Sequence, residues 1–470
     1  MGDILKKFSF SFLANIFSAL TSILMIFVLP KVMTMEDYGV WQLFMFYFSY
    51  VGFFHLGWID GIYLRYGGQY YDKLSRKIFS GQFFLLITLF FSECVFINIA
   101  LSTGIVENYV IAFVIRIASI ASIFTNIVTF INFTLQLSDE IRKYARNIVL
   151  ERLITIFLIS YCVIFRKIKY DEIIYITVIS NFLVMCFGVY SIKNLLFVEF
   201  DTLSHVFIEA WENISAGSKL MLSNIAGMLI LGIIRFGISK GWDIVTFGKV
   251  SLTLSVSNFL MVFISAVSVV LFPVLKHINQ DRLVELYIVL RRLLSYLLLG
   301  LLITYYPLKL LLLYWLPKYS DSLFYMGLLL PVCIFESKMQ MLVNTYLKSL
   351  RQELLMLKIN VFSVAFALVT TYISVVVLHE LQFAILVIVI NFAFRLLLAE
   401  YFIEKILIIK IKKETTEEAA LVICFILINI YNFPYSICIY SIAYLLYLFF
   451  NRNNIKEILH KAQNKIFKST

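Results

Sequence analysis

IFSGQFFLLITLFFSECVFINIAL, residues 78–101, decides the fold, and its one charged residue is Glu93. A run of this length crosses about 30 Å of hydrocarbon as a helix. No water reaches its backbone there, so N–H and C=O groups must bond within the segment. A strand of a membrane barrel would alternate apolar and polar residues over about ten positions, and this run does not alternate. Runs of the same kind recur from Phe8 to Phe450. The whole chain of 470 residues is 61% hydrophobic and 15% charged, with a mean hydropathy of +0.90. A water-soluble domain of this size carries far more charge on its surface. The pattern therefore predicts an all-α integral membrane protein.

Apolar helices are expected near 8–29, 40–62, 78–101, 109–135, 147–165, 173–192, 219–239, 247–272, 288–313, 322–348, 354–378, 381–403, 419–433 and 435–450. That makes roughly fourteen spans, or twelve if the short last pair does not cross. The opening MGDILKKFSFSFLANIF reads as the first span; its apolar stretch is too long for a signal peptide and no small-residue cleavage site follows. Basic residues collect in alternate connections. Lys6 and Lys7, Arg65 to Lys77, Arg142 to Arg146, Lys276 to Arg292, Lys348 and Arg351, Lys405 to Lys413, and the tail from Arg452 to Lys468 all fall on one side. The positive-inside rule then puts both termini in the cytoplasm. Arg166, Lys167 and Lys169 fall on the other side and are the exception. The formal charge of +11 is on this reading a topology signal and an attraction to anionic lipid, not a nucleic-acid surface.

Apolar residues at 203, 206, 207, 210, 211 and 214, opposite Ser204, His205, Glu209 and Glu212, predict an interfacial cytoplasmic helix. The tail repeats the pattern with Ile455, Ile458, Leu459, Ala462 and Ile466. A shift of 209 residues lays Leu13, Asn15, Ile16, Lys31 and Gly39 on Leu222, Asn224, Ile225, Lys240 and Gly248, and a shift of 211 lays Thr134 and Ser138 on Thr345 and Ser349. Six spans separate the copies, which predicts a parallel repeat. The expected organisation is a six-helix lobe over 1–195, a linker helix over 196–218, a second six-helix lobe over 219–404, a further helix pair over 405–450 and a basic tail over 451–470.

Polar residues inside the spans carry the functional signal, because charge at membrane depth is costly. Arg116, Ser119, Ser122 and Asn126 stripe the fourth span, Ser11, Asn15, Ser18 and Ser22 the first, and Ser251, Ser255, Asn258 and Ser265 the eighth. Asn224 and Arg235 share a face of the seventh, while Glu336, Lys338 and Arg395 add charge to the tenth and twelfth. For the Ser and Asn stripes, helix-to-helix hydrogen bonding and cavity lining both stand. For Arg116, Arg235 and Arg395 the choice is between ion pairs with Glu93 or Glu336 and a cationic cavity for an anionic substrate such as a phosphate. Arg65 and Asp60 sit at the cytoplasmic end of the second span. The substrate set is thus Arg116, Arg235, Arg395, Lys338, Arg65, Asn15 and Asn224, and the candidates for proton or sodium coupling are Asp60, Glu93 and Glu336. The six cysteines all lie in apolar runs and make no CxxC pair, so they read as small buried residues. His55, His205, His277, His379 and His460 are scattered, and no GxSxG, HExxH or P-loop is present. No catalysis, cofactor or metal is expected.

LPKVMTMEDYGVWQLF (29–44), GWIDGIYLRYG (57–67), FGKVSLTLSVSNF (247–259), LFPVLKHINQDRLVELY (271–287) and MLVNTYLKSLRQELLML (341–357) resemble the Wzx-type oligosaccharide repeat-unit flippases. These are polysaccharide transporters of the superfamily that also holds multidrug extruders and lipid II flippases. The resemblance implies a MATE-like fold with two parallel lobes. It implies movement of an undecaprenyl-pyrophosphate-linked oligosaccharide, such as an O-antigen, capsule or exopolysaccharide repeat unit, from the cytoplasmic to the periplasmic leaflet. It also implies partners among membrane lipids and other polysaccharide assembly proteins. Relatives often carry an acid just before the arginine of the seventh span; here Ile234 precedes Arg235. A cation-coupled extruder of drugs or metabolites is the alternative on the same fold. A membrane polymerase or ligase is disfavoured because the outer loops are short.

Overall fold

The structure is a computed structural model that describes residues 16–165, 168–199, 201–276, 280–431, 433 and 435–457, without the side chains of 260 and 262–282. Among these residues the chain is helical and no strand occurs. In chain order the helices are α1 (Ile16–Val32), α2 (Met35–Phe48), α3 (Trp58–Tyr66), α4 (Arg76–Ser102), α5 (Tyr109–Leu137), α6 (Ile141–Phe165), α7 (Tyr170–Ser191), α8 (Leu203–Gly241) and α9 (Ile244–Lys276). They continue as α10 (Gln280–Leu301), α11 (Tyr305–Trp315), α12 (Ser320–Leu329), α13 (Val332–Lys338), α14 (Asn344–Ser349), α15 (Glu353–Thr371), α16 (Leu381–Leu407), α17 (Lys412–Ile430) and α18 (Ser436–Phe450). Among the described residues 8 helices are long and apolar enough to cross a membrane, or up to 9 if Pro317–Leu329 and Val332–Ser349, bent by 43°, form one span. The chain is a multi-pass membrane protein. Of the sequence expectations, Asn15, Ser11 and the tail beyond 457 lie outside the described residues, as does the side chain of Ser265.

The helices depart from the expected runs in three places, each for a local reason. The expected second span, 40–62, is broken: α2 ends at Phe48 and α3 starts at Trp58. Between them Leu56 and Gly57 adopt left-handed backbone angles (φ 53 and 81). Several of the loop's carbonyls accept from amides three or four residues on, and Val51 O also accepts from Asn126 Nδ2 at 2.9 Å. A broken segment of this kind survives at membrane depth only when other helices satisfy it. The second departure is α8, which joins the expected interfacial helix and the seventh span into one helix, Leu203–Gly241. Residues 215–219, SAGSK, contain no proline, so nothing there removes a backbone donor. The third is the tenth span, where Pro331 follows α12 and a π-turn over Met339–Val343 separates α13 from α14. Proline and π-turns are the usual causes of such bends.

The chain divides into two compact units: Met1–Gly232 with Trp242–Gly248, and Ile233–Gly241 with Lys249–Thr470. Equivalent turns recur in the two halves of the sequence. Thr34 Oγ1 accepts from Asp37 N at 3.0 Å, and 209 residues later Asp243 Oδ1 accepts from Thr246 N at 2.8 Å. Glu140 N bonds Leu135 O at 2.8 Å with Asp139 left-handed (φ 63), and 212 residues later Gln352 N bonds Leu347 O at 2.8 Å with Arg351 left-handed (φ 54). Both are Schellman endings. These caps lie 209 and 212 residues apart, near the sequence offsets of 209 and 211, and caps depend on backbone geometry more than on side-chain identity.

In the first unit α3 and α8 touch backbone to backbone. A Cβ on Gly61 would overlap the Asn213 carbonyl oxygen, and one on Gly217 would overlap Gly57 O. The G-x-x-x-G spacing of Gly57 and Gly61 permits this approach, which in a membrane gains packing and hydrogen bonds that larger residues would block. We expect Gly61→Ala to cost about 1–3 kcal/mol through overpacking, read as a lower melting temperature of the detergent-extracted protein. Gly52, whose Cβ would meet nothing within 4 Å, serves as the control, and equal melting of both variants would refute the close contact.

Candidate functional site

Within the first unit the break between α2 and α3 assembles a small polar centre. His55 is buried, and its Nδ1 accepts from Gly57 N at 3.1 Å. The neutral ring must then carry its proton on Nε2, which faces Asp60 Oδ2 at 3.8 Å. Further along α3, Arg65 Nη1 donates to Glu209 Oε2 at 2.8 Å and Asn213 Oδ1 at 2.7 Å, while Nη2 meets Glu212. Tyr66 Oη adds a bond to Glu209 at 2.8 Å. Asn213 and Trp58 both donate to Gln82 Oε1, and Gln82 Nε2 donates to Val206 O at 2.9 Å. Arg65 is thereby tied to the first turns of α8, and the network holds α3, α4 and α8 together.

On α5, Ser119, Ser122 and Asn126 are buried and bond backbone carbonyls of their own helix. Arg116, on the same stripe, lies outside that buried set: it is exposed and makes no ion pair among the described residues. Glu93 on α4 keeps one carboxylate oxygen, Oε2, buried without a hydrogen-bond partner. Asn224, on α8, is exposed.

The second unit gathers most of the buried charge. Arg395 on α16 donates through Nη1 to Glu336 Oε2 at 3.0 Å and through Nε to Asn360 Oδ1 at 3.0 Å. Of the ion-pair and cavity alternatives, this arginine takes the pair in this structure. Arg235 Nη2 donates to Ser251 Oγ at 3.1 Å. Lys338, fully buried, contacts Glu418 on α17. Glu418 also accepts from Arg291 Nη1 at 3.0 Å and Ser295 Oγ at 2.6 Å. Arg291 forks onto Glu400 through Nε at 2.8 Å and Nη2 at 3.0 Å, and Nη2 reaches Thr415 at 2.8 Å. Two cations and two anions thus neutralise one another where α10, α13, α16 and α17 meet.

On sequence alone Arg291 reads as one of the cytoplasmic loop charges, and Glu400 and Glu418 carry no role. The structure puts Arg291 inside α10 with 1% of its side chain exposed. A signal was present: Arg291 and Arg292 open one apolar run, and Glu414, Glu417 and Glu418 open another. Charge at matching depth in two helices asks for a partner.

No family model and no curated protein sequence matches the chain. Solved structures do. The fold is similar to that of the lipid II flippase MurJ in an inward closed conformation, with TM-score 0.65 and 12% identity over 96% of this chain and 100% of that one. It is also similar to an inward-facing multidrug resistance MATE family transporter of the MOP superfamily, with TM-score 0.62 and 12% identity over 84% and 94%. The chain therefore has the fold of the MOP superfamily.

Removing one partner of a buried ion pair costs about 3–5 kcal/mol because the other charge stays behind. Glu418→Leu should sharply lower the yield and melting temperature of detergent-extracted protein. Adding Lys338→Met should restore part of the loss. A single variant that melts with the wild type would show that the cluster does not hold these helices.

Proposed function

We propose that this chain is a flippase that moves a lipid-linked, pyrophosphate-bearing oligosaccharide across a bacterial inner membrane, from the cytoplasmic to the periplasmic leaflet. The carrier lipid on this reading is undecaprenyl, and the glycan is a repeat unit of a surface polysaccharide. One observation carries the proposal. Arg116 stands exposed two turns inside the apolar helix α5, with no carboxylate beside it among the described residues. A guanidinium is expensive in hydrocarbon, and its flat fork suits phosphate oxygens. The MOP fold, shared with a protein described as a lipid II flippase, supports a cargo whose lipid tail stays in the bilayer. Arg235 and Asn224 fit the same role along α8, and Arg395 supplies further positive charge in the second unit, whereas Lys338 is neutralised by Glu418 and Arg65 by Glu209 and Glu212. In this reading access alternates through a cationic cavity, with both termini cytoplasmic.

The second reading is a cation-coupled extruder on the same fold. Glu93, with its buried unpartnered oxygen, and the His55–Asp60 pair favour it, since acids at membrane depth bind cations.

Replacement of Arg116 by Ala, or of Arg235 by Ala, should abolish surface polysaccharide in cells while leaving the protein at normal abundance in the membrane. Staining of surface glycan and blotting of membranes check both halves. Normal polysaccharide in both variants would sink the cationic-cavity proposal, and a loss of drug tolerance in its place would favour the extruder.

A further inference from the structure

The tenth span is bent at Pro331 and carries a π-turn at Met339–Val343, and Glu336 lies between the two. From Met326 to Leu347 every residue is buried except Phe335 and Glu336, which are half-buried, and Gln340, which is exposed. Two of the three residues that open this stretch, Glu336 and Gln340, are polar. A carboxylate and a carboxamide facing hydrocarbon would be costly, so this side of the helix faces water. Behind the opening lies Arg395. Its side chain is 4% exposed against 15% for Glu336. Glu336 Oε2 accepts from Arg395 at 3.0 Å, and Oε1 accepts from the exposed Gln340 at 2.7 Å. The carboxylate thus sits between a buried guanidinium and the water.

We propose that Glu336 is a proton-operated stopper over Arg395, whose release exposes a site for a phosphate-bearing anion. This deepens the flippase reading and rests on it for the identity of the cargo. Oε2 of Glu336 occupies the place that a phosphate oxygen would take on Arg395 Nη1. Charge balance decides when the exchange occurs. Arg291, Lys338, Glu400 and Glu418 neutralise one another, so among the described residues Glu336 is the counter-charge of Arg395. Asn360 from α15 holds the Nε edge but is neutral. The charged groups facing this region are Arg395 from α16 and, behind it, the self-balanced cluster, in which Lys338 of the same helix meets Glu418 of α17 and Arg291 of α10 meets Glu400. When Glu336 takes a proton from the aqueous side it loses its charge, and Arg395 is left with one unbalanced positive charge that draws in an anion. When the proton leaves, the carboxylate returns and displaces the anion. Proton uptake and cargo capture are thereby linked at one side chain.

The test uses the full chain in lipid nanodiscs, titrated calorimetrically with inorganic pyrophosphate and, separately, with farnesyl pyrophosphate. At about pH 8, where a carboxylate is ordinarily charged, Glu336→Gln should bind either probe at least about tenfold tighter than the wild type, the worth of one charge-assisted contact to arginine. The gap should narrow on acidification to about pH 4, the ordinary range of a glutamate carboxyl. Comparing the two proteins at each pH removes the probe's own titration. Arg395→Gln should remove the gain, so that Glu336→Gln with Arg395→Gln, a neutral pair that keeps its hydrogen bonds, binds no tighter than the wild type at about pH 8. Arg395→Lys keeps the charge and guards against a folding defect. Equal binding by Glu336→Gln and wild type at high pH, or a gap that does not change with pH, overturns the stopper. A gain for inorganic pyrophosphate with no binding of farnesyl pyrophosphate upholds the stopper and counts against a lipid-linked cargo. Binding of farnesyl pyrophosphate that ignores Glu336 does the reverse.

Discussion

Hydrocarbon offers no partner to a charge or to a backbone group, and most of this molecule's polar features answer that constraint. Helices satisfy most of the backbone. Where the backbone breaks, at residues 49–57, a side chain from α5 completes it. Where charges enter the spans, most meet an opposite charge: Arg65 with Glu209, Arg291 with Glu400, Lys338 with Glu418, Arg395 with Glu336. The residues that break the rule are informative for that reason. Arg116 stands exposed without a carboxylate among the described residues, and Glu93 keeps an unpartnered oxygen.

The two units meet the constraint differently. In the first, glycines let α3 and α8 approach until their backbones touch, and a polar network around Gln82 and Asn213 finishes the contact. In the second, side-chain charge does more of the joining. The Arg291 cluster fastens α17 to α10, α13 and α16, so the helix ahead of the terminal pair's turn is bound into the unit by ion pairs as well as by apolar packing. A fully neutralised cluster is inert toward an anion from outside. Arg395, held by one carboxylate next to water, is not. Charge accounting therefore separates two kinds of buried cation that look alike in a list of residues.

Much of the fold was legible in the sequence, because a run such as 78–101 has one stable form in lipid. The positions of most helices follow from such runs. The repeat was legible only faintly. What repeats most closely is the capping of Thr34 and Asp243 and the Schellman endings at Asp139 and Arg351, and caps tolerate several residue types. The break after Phe48 was illegible because residues 49–57, SYVGFFHLG, are apolar enough to read as continuous helix; its cause is a left-handed turn supported by Asn126, far away in sequence. The join of the interfacial stretch to the seventh span was missed for the opposite reason. Polarity changes across residues 203–241, but helical hydrogen bonding does not depend on polarity.

Of the candidate site, the sequence by itself determined which residues were out of place: Arg116, Arg235, Glu336, Lys338 and Arg395 interrupt apolar runs, and interruption is visible in one dimension. Only the tertiary structure decided what each is for. Lys338 and Arg395 lie in one unit and belong to one residue class, yet one is buried in a closed cluster with Glu418 and Arg291 while the other faces a polar opening through Glu336. The difference arises from pairing between helices tens of residues apart in sequence. Electrostatic energy depends on distance and on access to water, and neither can be read along the chain.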